Sequence, residues 1–233
     1  MKAFSGLSCI LLLAAAIPAH GQYVYVRSNV NQPWGQATNE DAMDNVFGAG
    51  TWATMYYETL DAATMLTTQT QFLFLEGGDS SYLPFAEFIN NNINLLSVWI
   101  SNGGRLLIMS APNDPLLGVT LTLPDNITLS SDAFYGSAAN SAYPTDTSNP
   151  IFSGPNSTAY YFTGDFFSHG YFMGQNLANI MQSNLNETVL GLDVIGSGLM
   201  VVGGMTTDNF QLPQPAAHAL LENIIYYTFN VTL

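Results

Sequence analysis

Two short apolar runs flank one long amphipathic stretch, and that arrangement leaves few folds open. The runs are Phe72-Leu73-Phe74-Leu75 and Leu106-Leu107-Ile108-Met109. Neither alternates with polar residues, as expected of strands covered on both faces. Between them Phe85, Phe88, Ile89, Ile93, Leu96, Trp99 and Ile100 recur mostly at three- and four-residue steps. That spacing predicts a helix with one buried stripe. Asn102-Gly103-Gly104 stops it and returns the chain to the next strand. The unit is strand, helix, strand, and such a crossover places the two strands parallel.

The chain before this unit repeats the pattern. Tyr23-Val24-Tyr25-Val26 reads as a strand, and Asn29 to Gly35 as a loop carrying Pro33 and Trp34. Thr38-Asn39-Glu40-Asp41 resembles a capping box opening a helix that ends near Gly48, and Trp52 to Tyr57 reads as a further strand. Residues 116–165 alternate weakly and are rich in turn formers, so they predict a small β excursion with an ordered loop. Thr188–Val194 and Leu199–Val202 predict two strands joined by a tight turn at Ile195-Gly196-Ser197-Gly198. Pro213 and Pro215 open a last helix, with Leu220, Ile224 and Tyr227 facing inward. The expected fold class is α/β, a three-layer sandwich around a mostly parallel, flavodoxin-like sheet.

Met1–Gly21 reads as a secretory signal peptide. Lys2 supplies the charge, Leu7 to Ile17 the apolar segment, and Ala19-His20-Gly21 the small-residue end. The single cysteine, Cys9, falls inside it. The remaining residues, 22–233, are expected to form one α/β domain, secreted to the extracellular space or cell surface. They carry no disulfide, so the core must supply stability. They hold two cations, Arg27 and Arg105, against 17 acids. Too few cations exist to displace phosphate counterions, so neither nucleic acid nor an anionic membrane surface is expected as a partner. No segment after residue 21 is long and apolar enough to insert in a membrane. Four N-x-S/T sequons, at Asn126, Asn156, Asn186 and Asn230, match the number this Asn, Ser and Thr content yields by chance.

Three segments together resemble the class I glutamine amidotransferase-like fold, taken broadly with the ThuA-like proteins, and in particular its uncharacterised extracellular bacterial versions. They are Phe72-Leu73-Phe74-Leu75-Glu76-Gly77-Gly78-Asp79, the stretch Trp99 to Ile108 across Gly103-Gly104, and Gly196 to Gly204 before a last helix. The resemblance covers most of residues 23–229. It implies a nucleophile just after the strand ending at Met109, where this chain has Ser110 instead of cysteine. Thioester chemistry on glutamine is therefore not expected. A serine variant of the fold would use Ser110 with His169 as base. Reactive elbows carry small residues two positions either side of the nucleophile, and here those positions are Ile108 and Pro112.

Predicted strand ends gather the remaining polar candidates. Glu76, Asp79, Asn113, Asp114, Asp208 and Asn209 all fall where strands of an open α/β sheet face a ligand crevice. Isolated histidines, His169 and His218, do not make a zinc site. Calcium takes carboxylates and carbonyls, and would use Asp79 and Asp208; no other cofactor is expected. His218 reads as a surface or packing residue on the last helix. The aromatic stretch Tyr160 to Phe172 suits either core packing or stacking on a sugar ring or protein partner. The leading expectation is a secreted, non-catalytic module that binds a glycan or an extracellular protein, or serves in surface assembly. The alternative is an extracellular serine-type hydrolase using Ser110 and His169.

Overall fold

The computed structural model describes residues 22–113, 119–131 and 139–233. The expected leader with Cys9, and Asp114, lie outside the described residues. The first half of the chain runs β1 (Tyr23–Arg27), α1 (Thr38–Phe47), β2 (Ala53–Tyr56), α2 (Ala62–Met65), β3 (Phe72–Glu76), α3 (Tyr82–Ser101) and β4 (Arg105–Met109). The second half adds β5 (Val119–Thr122), β6 (Thr128–Ser131), β7 (Ala139–Pro144), β8 (Phe162–Ser168), β9 (Tyr171–Met173), β10 (Ala178–Ser183), β11 (Thr188–Ile195), β12 (Gly198–Gly203) and α4 (Ala216–Asn230).

All these strands share one 12-stranded sheet, whose main path is β2-β1-β3-β4-β12-β11-β10-β7-β8. The pairings among β2, β1, β3, β4 and β12 are parallel. From β12 outward they are antiparallel, as are those of β5, β6 and β9. The sheet is therefore mixed, which corrects the expectation of a mostly parallel sheet with a small excursion. The reason is connectivity. A parallel neighbour needs a long crossover, usually a helix. Between Ser101 and Ala216 the described chain has no α-helix, so its strands mostly return as hairpins.

Alternation along the parallel strands splits the core between the two faces of the sheet. Leu73, Leu75, Leu106, Ile108, Met200 and Val202 pack with Phe85, Ile89, Leu96 and Ile100 of α3. Phe72, Phe74, Leu107 and Val201 face the other way, onto Ala42 and Met43 of α1 and Leu220 and Ile224 of α4. Each such side chain, fully buried, contributes about 1.5–3 kcal/mol. This double cover explains why β3 and β4 read as continuous apolar runs. Helix α1 begins at Thr38 as expected, but its N-cap is Ala37 and no side chain caps it. No helix among the described residues is long and apolar enough to cross a membrane.

Candidate functional site

Parallel pairing brings the carboxyl ends of β3, β4 and β12 to one edge of the sheet, and backbone bonds continue the ladder past them. Gly77 N–H donates to Met109 O and Ser110 N–H to Gly203 O, each at 2.7 Å. The next residue, Gly204, lies so close to Gly170 that an added Cβ would sit 1.8 Å from the Gly170 oxygen. This contact holds the β8–β9 turn, and with it His169, over the strand ends. His169 N–H donates to Gly204 O at 3.1 Å.

Beneath this edge is a buried polar cluster. Glu76 accepts from Gly78 N–H through Oε1 and from Asn39 Nδ2 through Oε2, both at 2.6 Å. Asn39 also donates to Tyr25 Oη at 3.1 Å. Burial pushes the Glu76 pKa up to about 8, overriding the two donors that favour the anion. Glu76, Asn39, Asp208 and Trp34 line a cavity of about 20 Å³, room for roughly one water molecule. Asp208 is 4 % exposed. Its Oδ2 is 2.7 Å from His218 Nδ1, while its Oδ1 is buried and has no hydrogen-bond partner among the described residues. His218 in turn lies 3.2 Å from Glu222 through Nε2. Its pKa is raised, chiefly by the hydrogen bond to Asp208.

Above that cluster, Trp34 and Thr206 form a wall shared with an outer cup of about 190 Å³. Trp34, Phe166, His169 and Phe210 supply its aromatic sides, with Asn113 and Thr206 as polar edges. Phe166 is 46 % and Phe210 38 % exposed. Trp34 meets His169 and Phe210 edge-on at centroid distances of 6.4 and 6.1 Å, and Phe166 meets His169 at 5.8 Å. The rings are thus fixed against one another. Gly164 makes room for the Phe210 backbone, where a Cβ would approach the Phe210 oxygen to 2.0 Å. Three residues around the cup, Trp34, Asp79 and Phe166, hold left-handed backbone with φ of 49°, 48° and 63°. Such conformations cost a non-glycine residue roughly 1–2 kcal/mol each.

The residues expected at this edge are not equivalent. Asp79 accepts from Trp34 N–H at 3.0 Å and, weakly, from Asn113 Nδ2 at 3.5 Å, which ties both to the cup. Glu76 and Asp208 belong to the buried cluster beneath it. Asn209 is exposed and accepts from Thr207 Oγ1 at 2.6 Å. No group of three or more His, Cys, Asp or Glu suited to a metal exists among the described residues. Ser110 is fully buried and its hydroxyl donates to Gly77 O at 2.9 Å. His169 Nδ1 is 3.2 Å from Pro112 O, and burial lowers its pKa. Each of the two side chains is therefore held by a backbone carbonyl.

Sequence reasoning missed Asn39, Trp34 and His218 as site residues. His218 carried a readable signal, since Glu222 follows at the i+4 spacing of a shared helix face. Asn39 and Trp34 carried none, because their partners, Glu76 and Asp79, lie 37 and 45 residues away. The aromatic stretch divides: Phe162, Phe167 and Phe172 are core, and Phe166 lines the cup.

No protein-family model matches this chain, and no curated protein does. Solved structures do. A protein described as part of a GMP synthase, from Thermoplasma acidophilum, aligns with TM-score 0.55 at 8% identity, covering 88% of this chain and 93% of that one. A cytoplasmic protein from Salmonella typhimurium aligns with TM-score 0.51 at 11% identity, covering 88% and 98%. A β-galactosidase from Bacillus circulans sp. alkalophilus aligns with TM-score 0.48 at 12% identity; this chain spans 31% of its length. At such identities the first two likenesses establish a shared fold and nothing finer.

Proposed function

We propose that this chain is a secreted, non-catalytic binding module on a glutamine amidotransferase-like scaffold. Its flavodoxin-like core would be the parallel half of the sheet. The ligand is neutral and hydroxyl-rich, a glycan ring seated in the cup of Trp34, Phe166, His169 and Phe210. The observation that carries this reading is the cup itself. Aromatic faces stay exposed there above the buried cluster of Glu76, Asn39 and Asp208, and exposed aromatics beside fixed polar groups mark ligand sites. At about 190 Å³ the cup falls below the roughly 300 Å³ of ordinary small-molecule pockets. It takes one ring end-on and leaves a longer chain outside. Among the described residues no Lys or Arg lines it, so an anionic sugar gains nothing there.

The extracellular setting rests on the leader-like Met1–Gly21. Intact mass of exported protein beginning at Gln22 supports that setting, and retention of residues 1–21 removes it. The hydrolase alternative fares worse, because a nucleophile must reach its substrate and Ser110 is fully buried. Binding is tested by screening neutral oligosaccharides on an array and following hits by tryptophan fluorescence. Phe210→Ala and Phe166→Ser should each weaken a hit about tenfold, a loss of roughly 1.4 kcal/mol. A hit unaffected by both changes, or no hit at millimolar sugar, defeats the proposal.

A further inference from the structure

The opposite edge of the sheet carries a second feature, and it is electrostatic. Arg105 opens β4 at the amino end of the parallel strands. The other cation of residues 22–233, Arg27, is paired with Glu40 at 3.0 Å. Among the described residues the Arg105 guanidinium has no ion-pair partner, and its Nη1 is buried without a hydrogen bond. Burial depresses its pKa, with no neighbouring carboxylate acting against that. In a chain with 17 acids, an arginine that none of the described ones pairs is the exception to be explained.

Arg105 forms a wall of a cleft of about 320 Å³. Thr67, Thr68 and Gln71 give it polar groups, and Val98, Trp99 and Phe229 an apolar side. A second, more open hollow also has Arg105 in its lining, with Ser197, Asn230 and the last residue, Leu233. Among the described residues no Asp or Glu side chain lines either space. The volume lies within the range of small-molecule sites. With Nη1 buried, a carboxylate would meet the guanidinium along its Nε–Nη2 edge, which still offers two parallel N–H donors, and such charge-assisted pairs are about twice as strong as neutral ones. One cation balances one negative charge. A phosphate, closer to two charges, would need more than this cleft holds. The apolar side suits a hydrocarbon or ring attached to the acid group.

We infer that the Arg105 cleft is a binding site for a small organic monocarboxylate with an apolar body. It lies across the sheet from the glycan cup, so each site stands or falls separately. Hexanoate, its neutral analogue hexanamide, and inorganic phosphate serve as probes of uniformly ¹⁵N-labelled protein. The indole N–H of Trp99 is the reporter. It lies beside the cleft, bonded to the Thr67 and Thr70 carbonyls at 3.2 Å each. Hexanoate should shift it saturably and bind at least about tenfold tighter than hexanamide. Arg105→Gln should bring hexanoate down to the hexanamide level, and Arg105→Lys, which keeps the charge but not the fork, should fall between. Equal binding of hexanoate and hexanamide to the parent protein overturns the inference without any variant. So does tighter binding of phosphate than hexanoate, or hexanoate binding unchanged in Arg105→Gln.

Discussion

The Trp34 N–H donates to Asp79 Oδ2 over 3.0 Å, and both residues hold left-handed backbone. One strained residue thus fixes another, 45 positions away, and Asp79 holds in place the Trp34 wall of the aromatic cup. Asp tolerates this conformation better than most residues, while a bulky Trp is an outlier there. Asp79→Ala should therefore cost about 1–3 kcal/mol, from the lost acceptor and an alanine forced to positive φ. Asp79→Asn keeps an acceptor and tolerates positive φ, and should stay within about 0.5 kcal/mol. Denaturant titration separates the two, and equal stabilities would break the link. Calcium binding by Asp79 and Asp208 is checked in the same protein: a rise in melting temperature at millimolar calcium supports it, and an unchanged value removes it.

Glu76 predicts an unusual pH dependence. Its folded pKa of about 8 lies above the ordinary 4.5. The protonated form is the one the fold favours, so its stabilisation is complete below about 4.5 and fades as pH rises through about 8. The parent protein should then lose stability steadily across the neutral range, where most proteins hold a plateau. Glu76→Gln, with the Asn39 amide turned to present its oxygen, should flatten that slope and gain relative to the parent above pH 8. Parallel stability profiles for the two proteins would show that Glu76 does not carry the proton.

How much of this was legible in the sequence follows from which contacts are local. The β3–α3–β4 unit could be read because double cover writes itself as apolar runs and a helical stripe. Strands β7 and β10 could not, since Ala139–Pro144 and Ala178–Ser183 mix polar and apolar residues without a period. Tertiary pairing makes them strands. The position of Glu76 at a strand end was readable from Gly77-Gly78. Its burial was not, because Asn39 and Tyr25 approach it from the first turn of α1 and from β1. Phe166 and Phe210 looked like two aromatics among many, and only folding separates them from buried Phe167.

Ser110 predicts silence in chemistry. Its hydroxyl donates to Gly77 O, and a Cβ at Gly77 would lie 2.6 Å from Ser110 Oγ, so the two are in close packing. No ammonia should be released from glutamine, and no activated ester hydrolysed above the background of a denatured control. Ser110→Ala should cost about 1 kcal/mol of stability, the worth of one hydrogen bond. Turnover that is present in the parent and lost in both Ser110→Ala and His169→Ala would establish the hydrolase instead.

The His218–Asp208 pair tests the buried cluster from its outer side. Asp208 is nearly inaccessible, whereas the His218 side chain is 26 % exposed. Its hydrogen bond to Asp208 raises the His218 pKa above 6.5. The associated stabilisation is complete below 6.5 and is lost as pH rises through the raised value. Solvent screening at this exposure keeps it to about 1 kcal/mol or less. The window overlaps that of Glu76, so a pH profile of the parent alone cannot separate them. Variants can. His218→Gln should remove only the component above pH 6.5, and Glu76→Gln the broader one reaching down to about 4.5. His218→Ala also strips Asp208 Oδ2 of its donor, beside an Oδ1 that has none among the described residues. That should cost about 1–3 kcal/mol at pH 6. In the double variant, coupling of about 0.5 kcal/mol or more would mean that the two carboxyls interact across the 20 Å³ cavity. Strict additivity would separate Asp208 from Glu76 and reduce the cavity to a packing defect.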